Sequence, residues 1–450
     1  LNENQLIELI KKDIEKKSKM LGRKYYNKKG SISKKSELKD IVDSNNEIKT
    51  IKINDGTNIY FNWFKILIKQ KINYMLAKDT TITKNQYFTD IVLTTMLEEL
   101  VLNTSIDSVS WLHFFVNTEN KLDWVVVSFN EIIPIYDKYN KYIIEIIRYY
   151  YIDKDTIYIE NWDKNGVTTM KLKKDKISDN VFNKHYTEEI SYQGEILEEN
   201  DKNFPFIPFI PMWNNRERLS DIEDIECLIV MYSNISSGLI DNIDKFQEAI
   251  AKFKGFTGDS KAIQEAMRQM KIYKGVGIPN DGDIDYMNIE IPVEARALIL
   301  ETLKDAIFFI GEGFDPHKIG DGNITNVVIE SRYSGLDMKS NACEKQLKLF
   351  YQDFIKCFNK FYNISLDSKI ELNRSMIFNK SEAIADAVAS KDLTSLETAL
   401  SIHPYVTDVK KEMKLIEDET AKNIENQSKL FNNNINDKIN DTNNNNNNNT

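Results

Sequence analysis

The strongest constraint in this chain is a change of hydrophobic period partway along it. In residues 58–102 the apolar side chains recur at spacings of three and four. Phe61, Phe64, Ile68, Ile72 and Met75 make one stripe, and Met96, Leu97, Leu100 and Val101 a second, so this region reads as helices. Between Val109 and Leu197 the pattern changes. Segments 110–116, 122–129, 145–152, 156–162 and 168–172 are rich in β-branched and aromatic residues, with polar turns between them such as Asp163-Lys164-Asn165-Gly166. That pattern predicts an antiparallel, β-rich insert. From Ser220 the helical spacing returns: Ile225, Leu228, Ile229, Tyr232, Ile235, Leu239, Ile243 and Phe246 predict a helix running to about Ile250. Ser220 is its expected N-cap, with Glu223 as capping-box partner. A second helix opens on Pro292 and runs to Glu312. Its apolar residues, Val293, Leu298, Leu300, Leu303, Ile307, Phe308, Phe309 and Ile310, cover most of its surface. Such a helix must be covered on more than one side, by a neighbouring subunit or by the interior of its own. The fold class is therefore α+β.

The remaining segments fill in around these helices. Residues 1–36 hold eleven Lys and Arg against four Asp and Glu, a net +7, and Ile7, Ile10, Ile14 and Met20 give the first part an amphipathic helical spacing. It reads either as a solvated helix on a larger body or as a phosphate or protein contact. Phe204 to Asn215 carries prolines at every third position (Pro205, Pro208, Pro211), which hold the chain extended. Residues 251–278 are basic, net +4, and read as a small α/β unit: helix Lys261–Met270, strand Lys271–Ile278 and the Asp281-Gly-Asp turn. Five of the sixteen glycines fall in residues 311–335, the expected flexible stretch. A long helix from about Leu336 to Tyr362, a strand at Lys369–Leu372 and helices near Ser381–Ala389, Leu393–Ser401 and Val406–Asn423 follow. Residues 432–450 contain twelve Asn and cannot bury enough apolar area to fold.

Composition excludes several function classes. The chain has 450 residues and 28% charged residues, ample for a core without disulfides or structural metal. Its three cysteines form no C-x-x-C, and Cys343 and Cys357 lie on an apolar stripe as core thiols, so a reducing compartment is the simple reading. Residues 1–20 show no apolar run of signal-peptide type, and no apolar run approaches a membrane span. Gly255-Phe-Thr-Gly-Asp-Ser-Lys261 lacks P-loop spacing. The four histidines (His113, His185, His317, His403) are scattered. Asn280-Asp-Gly-Asp-Ile-Asp285 lacks the order of a calcium loop. The net charge of −10 speaks against tight duplex binding. It resolves into +7 at the N-terminus, −6 on helix 220–250 and +4 between the two helices.

Five short motifs, in this order, carry a resemblance. They are Asn58–Ala77 (with Lys69-Gln-Lys-Ile-Asn-Tyr-Met-Leu), Pro134-Ile-Tyr-Asp137, Phe204-Pro…Asn214-Asn215 with Ser220-Asp221, Ile291-Pro-Val-Glu-Ala-Arg296, and Tyr333-Ser-Gly-Leu-Asp-Met-Lys339. Across residues 5–420 the chain resembles the portal proteins of tailed bacteriophages of Gram-positive hosts. The resemblance implies a ring, usually a dodecamer, at one capsid vertex, with double-stranded DNA passing through its channel. It implies no catalysis, no cofactor and no metal. The implied partners are the terminase large subunit, a head-completion or adaptor protein, and the major capsid and scaffolding proteins. No membrane is implied: such a protein is a virion component assembled in the host cytoplasm.

By the family plan, residues 1–219 and 336–380 form the wing, 220–250 and 293–312 the stem helices, 251–292 the clip, 313–335 the tunnel-loop region and 381–431 the crown. Asp221, Asp224, Asp241, Asp244 and Glu248 are the acidic stem candidates. Lys252, Lys254, Lys261, Arg268, Lys271 and Lys274 are the clip candidates for partner binding. Lys318, Asn323, Asn326 and Arg332 are the channel candidates, and Asn323-Ile-Thr-Asn-Val-Val-Ile-Glu330 departs from the family's usual Ser-Gly in this region. Two other readings stay open. One is a metal-dependent DNA-processing enzyme with Asp281, Asp283 and Asp285 on Mg²⁺. The other is a non-packaging adaptor of a defective prophage.

Overall fold

A computed structural model describes residues 2–28, 31–42, 48–78, 80–83, 90–174, 176–192, 195–246, 250–254, 268, 283–287, 293–318, 325–375, 380–390, 393–401, 403, 405–406 and 409–425. The chain divides into two compact units: residues 1–315 with 334–375, and residues 316–333 with 376–450.

The first unit begins with α1 (Glu3–Ser18), closed by a reciprocal capping box between Asn2 and Gln5. Its apolar face is neither solvated nor free: Leu6 and Ile10 share a core with Ile133, Ile147, Tyr149, Ile159, Met170 and Leu172. A short α2 (Gly22–Asn27) follows. Then β1 (Ser31–Val42) and β2 (Ile48–Tyr60) form a long antiparallel hairpin. The sequence reading began its helical region at residue 58, yet residues 58–60 close this hairpin. Lysine-rich strands such as these carry little apolar alternation, so the period-two signal is faint.

Next come α3 (Trp63–Leu76), β3 (Thr81–Ile82) and α4 (Asp90–Asp107). The β-rich insert is observed. β4 (Val109–Val116) lies between β5 (Leu122–Val127) and a strand that arrives later in the chain. β6 (Ile132–Tyr136), β7 (Ile143–Tyr151), β8 (Thr156–Trp162), β9 (Val167–Lys173) and β10 (Lys176–Asn183) form an antiparallel meander. β11 (Tyr186–Tyr192) and β12 (Glu195–Lys202) make a separate hairpin. The proline-spaced segment is not a linker. Its second half is β13 (Phe209–Trp213), an edge strand on β4 in which Pro211 faces Trp111, and Phe204, Phe209 and Met212 are buried.

The helix expected from Ser220 starts later, as α5 (Glu226–Phe246). Residues 221–225 form turns instead. The Ser220 hydroxyl donates to the Ile106 carbonyl at the end of α4 (2.7 Å), and the Asp221 side chain is drawn into a buried ion pair. β14 (Ile250–Lys254) pairs with β15 (Asp283–Met287). The expected helix 261–270, strand 271–278 and Asp281 turn lie outside the described residues, apart from Arg268.

α6 (Val293–Ile310) lays Ile307 and Phe308 against Ile225 in the turn before α5, Ile229 of α5, and Phe64, Leu67 and Ile68 of α3. The residues just after it are not the flexible stretch expected. A Cβ on Gly311 would stand 2.7 Å from Leu67 Cδ1, and one on Gly313 2.2 Å from Leu67 Cδ2. These glycines permit close approach rather than motion. Glu312 between them adopts φ 52°, a left-handed conformation a non-glycine residue takes at a cost.

α7 (Asn326–Tyr362) spans 37 residues and starts ten residues before the expected Leu336. Gly335 and the run Val327-Val-Ile329 disguise its first turns as non-helical in sequence. Within the first unit its later turns give Cys343, Leu347, Phe350, Phe354 and Phe358 to a core with α3, α4, β4 and β13. β16 (Ile370–Glu371) pairs with β3.

In the second unit, Glu382 of α8 (Lys380–Ser390) accepts from the Asn326 amide at the start of α7 (2.6 Å), satisfying one of that terminus's open N–H groups. α9 (Leu396–Ser401) packs on α8, and residues 409–425 form α10. Residues 432–450 lie outside the described residues. No described helix is long and apolar enough to cross a membrane.

Candidate functional site

Three of the five sequence motifs meet at buried polar groups in the first unit. Lys71 lies on the inner stripe of α3 with Phe64, Ile68 and Met75, and is 1% exposed. Its ammonium donates to Ser105 Oγ (2.9 Å), Asn214 Oδ1 (2.6 Å) and Asp221 Oδ2 (3.1 Å). Asn214 Nδ2 donates to Asp221 Oδ1 (2.7 Å). Lys339 of α7 lies 3.6 Å from Asp221 Oδ2 and donates to the Gly311 carbonyl (3.0 Å). The Asp221 amide donates to the Ser105 carbonyl (3.1 Å). One carboxylate thus ties together α3, α4, the turn before α5, α7 and the end of α6.

The charges at this hub hold their ionised forms. Burial works against the Lys71 ammonium, but Asp221 more than offsets it, and the pKa is raised. Burial likewise works against the Asp221 carboxylate, but Lys339 and Lys71, with the Asn214 amide, hold its pKa below the ordinary value. Burial pushes Glu312 up, and its neighbours Asp221 and Asp224 add to that against Lys339. A second cluster lies one turn along. The Tyr74 hydroxyl donates to Asp337 (3.0 Å), and Arg374 binds Asp337, Asn341 and Glu344.

These contacts revise the acidic candidates. Asp221 precedes the helix and is buried in the hub. Asp241 is also buried and accepts from the Thr57 amide of β2 (2.5 Å). Asp224 is exposed, in the turns before α5. Asp244 lies in α5 with its side chain outside the described residues, and Glu248 lies wholly outside them. Of the basic candidates, Lys252 and Lys254 stand in β14 opposite Asp285 and Asp283 of β15, and Arg268 is exposed. Lys261, Lys271 and Lys274 lie outside the described residues, as do Asn323 and Asp281. Asn326 and Arg332 are on α7, and Lys318 ends a short 3₁₀ turn. Among the described residues no three His, Cys, Asp or Glu gather as a metal site.

Sequence reasoning quoted Lys71, Asn214, Asp221 and Lys339 within motifs but gave Lys71, Asn214 and Lys339 no role. The available signal was Lys71 itself, a charged residue on an apolar helical stripe. Two of the histidines, His113 and His185, are built into the fold. His113 stacks on Phe209 (4.2 Å between centroids), and burial pushes its pKa down to about 3. His185 Nδ1 accepts from the Phe204 amide (3.0 Å) while Nε2 faces the Asp163 carbonyl (2.7 Å). Cys343 and Cys357 are core thiols, and burial pushes Cys357 up to about 12.

The apolar surface of α6 stands apart from these buried groups. Phe309 is 85% exposed and Leu298 66%, and Ile299 and Ile310 are also exposed. On one subunit, half of this helix is covered and half is left open.

Comparison with known proteins defines the class: a phage portal protein, a structural component of the virion. The family model described as "Phage portal protein, SPP1 Gp6-like" matches residues 8–426, and the chain belongs to that family. It is 27% identical over 452 aligned residues to the portal protein of Clostridium phage phiCD119, covering 94% of this chain and 98% of that one. It is 26% identical to the portal protein of Bacillus phage SPP1, covering 91% of this chain and 85% of that one. A solved structure described as the neck of an empty GTA particle computed with C6 symmetry aligns at a TM-score of 0.39 and 10% identity, over 75% of this chain and 88% of that one.

Proposed function

We propose that the chain assembles as a ring, a dodecamer in particles, at one capsid vertex, and that double-stranded DNA is packaged and ejected through its channel. The observation that carries the ring is the open face of α6. A helix with Phe309 85% and Leu298 66% exposed leaves apolar area in water that a second copy would cover. In this reading α5 and α6 are the stem, residues 251–292 the clip, residues 313–335 the tunnel-loop region and α8 to α10 the crown. The wing comprises the sheets other than β14–β15, with α1 to α4 and the later part of α7.

Channel lining is assigned to Asp224, Asp244 and Glu248 in the stem, and to Lys318, Asn323, Asn326 and Arg332 in the loop region. Carboxylates beside phosphates let a duplex slide, whereas lysines and arginines would hold it by counterion release. Asp221 and Asp241 are left out because their carboxylates are buried. The basic clip residues dock the terminase motor and the head-completion protein, and the motor supplies ATP-driven translocation. The protein carries out no catalysis, meets capsid and scaffolding proteins at its wing, and is assembled in the host cytoplasm.

Negative-stain microscopy of the purified full chain tests the reading. It predicts ring-shaped class averages that Phe309→Asp abolishes while the melting temperature stays within a few degrees of the parent. A parent that stays monomeric at every concentration, alone and with capsid protein, would sink it.

A further inference from the structure

The turn between β6 and β7 is held stiff and carries two bare aromatic rings. Asp137 Oδ1 accepts from the amides of Lys141 (2.8 Å) and Tyr142 (3.1 Å), and the Asp137 amide donates to the Tyr142 carbonyl (2.8 Å). Asn140 takes the left-handed conformation that closes the turn, at φ 54°. Tyr139 is 74% exposed and Tyr142 61%. The Lys138 ammonium lies 4.8 Å from the Tyr139 ring centroid, and that of Lys141 lies 5.1 Å from Tyr142. Exposed tyrosines on a preorganised turn are the residue type that anchors interfaces, and the two lysines give the turn a positive charge.

The opposite edge of the same sheet has the opposite character. Strand order β10-β9-β8-β7-β6 puts β6 at one edge and β10 at the other. The strands alternate in direction, so the β6–β7 turn and the end of β10 lie at the same end of the sheet. Four inter-strand steps separate them, about 19 Å. There the chain passes through His185, fixed by its bond to Asp163 in the β8–β9 turn, and enters the β11–β12 hairpin. Residues 186–202 contain six acidic residues against Lys202 alone. Glu199 and Asp201 are exposed on β12.

Strand-to-strand extension of the sheet is a poorer route for a second copy. A bulge between Ser178 and Val181 kinks β10, with Asp179 at φ 56°, and Lys176 and Lys184 flank the edge.

We propose that the β6–β7 turn of one copy docks on the β11–β12 hairpin of the next. A cationic, aromatic knob at one edge and an acidic hairpin at the other make a head-to-tail contact, the kind of contact that builds a ring from identical copies when its rotation closes. The contact rests on the ring reading above and adds to it a site distinct from α6. It fixes the orientation of neighbouring copies by charge, while α6 supplies apolar area.

The test is charge reversal in the full-length chain, read by sedimentation velocity and native mass spectrometry at low and high salt. Lys138→Glu with Lys141→Glu, and separately Glu199→Lys with Asp201→Lys, are each expected to raise the concentration for half-assembly about tenfold or more at low salt. Combining all four restores assembly to near the parent value. Tyr139→Ala with Tyr142→Ala weakens assembly equally at both salts. Both sets change exposed residues, and thermal melts matching the parent establish that the fold is kept. Rings that form at the parent concentration in both charge-reversed sets overturn the contact and leave the ring reading standing. A parent that forms no ring overturns the ring reading itself.

Discussion

Replacing Lys71 by Met separates a structural hub from ordinary surface charge. Methionine keeps the length and apolar stem of lysine and removes the ammonium. In the folded chain that ammonium is within hydrogen-bond reach of three groups, Ser105 Oγ, Asn214 Oδ1 and Asp221 Oδ2, at 1% exposure. Without it, Asp221 keeps the Asn214 amide and the more distant Lys339, but the hydroxyl and the amide oxygen lose their donor. Removing one partner of a buried ion pair costs about 3–5 kcal/mol. The comparison is Lys12→Met, which breaks the Lys12–Glu8 pair, exposed at 72% and 66%. Exposed i,i+4 pairs contribute about 0.3–0.5 kcal/mol. Urea unfolding followed by tryptophan emission reads the two variants side by side. A Lys71→Met loss within about 1 kcal/mol of the Lys12→Met loss would show that the buried ammonium contributes no more than an exposed one and would overturn the hub's structural role.

Other expectations follow from the same contacts. Because burial depresses the His113 pKa to about 3, the folded chain holds this imidazole neutral while the unfolded chain protonates it below about 6.5. Its contribution is complete above that pH and declines as the pH falls toward 3. Between pH 6.5 and 5 it costs up to about 2 kcal/mol, and urea midpoints for His113→Phe should show a shallower acid slope than the parent. Gly313→Ala places a Cβ against Leu67 and should destabilise by about 1–3 kcal/mol. Gly238→Ala in α5 meets nothing within 4 Å and should stabilise by up to about 1 kcal/mol; thermal melts of the pair decide the sign. Truncation after Phe431 should leave assembly unchanged by microscopy, and loss of rings would show that the Asn-rich tail takes part.

Legibility of the fold tracked how much of each signal was local. The β-rich insert and helices α3, α4 and α6 were readable because their periods persist over many residues. The start of α5 was misread because Ser220 and Glu223 make a good local capping box, whereas Ser220 is claimed by the end of α4 and Asp221 by Lys71. The start of α7 was misread because glycine and β-branched residues weigh against helix locally, while Glu382, more than fifty residues on, caps its first turn. The β1–β2 hairpin was missed because its strands are charged on both faces. The polar hub was half legible: its residues stood out as motifs, but only the fold brings Lys71, Asn214, Asp221 and Lys339 to one point. The acidic residues in and just before α5 show the limit of composition, since counting charge cannot separate the buried Asp221 and Asp241 from the exposed Asp224.

The jammed turn after α6 bears on how load travels through the subunit. Gly311 and Gly313 leave no room on the α3 side, and Lys339 of α7 grips the Gly311 carbonyl. A push or twist on α6 therefore has no slack to disappear into at this end. The joint is stiff, so displacement of α6 arrives at α3 and α7 undiminished, as torque on a shaft arrives at the hub it is keyed to. Elasticity must lie elsewhere in the subunit, and a glycine-to-alanine change at this joint would alter its mechanical compliance as well as its stability.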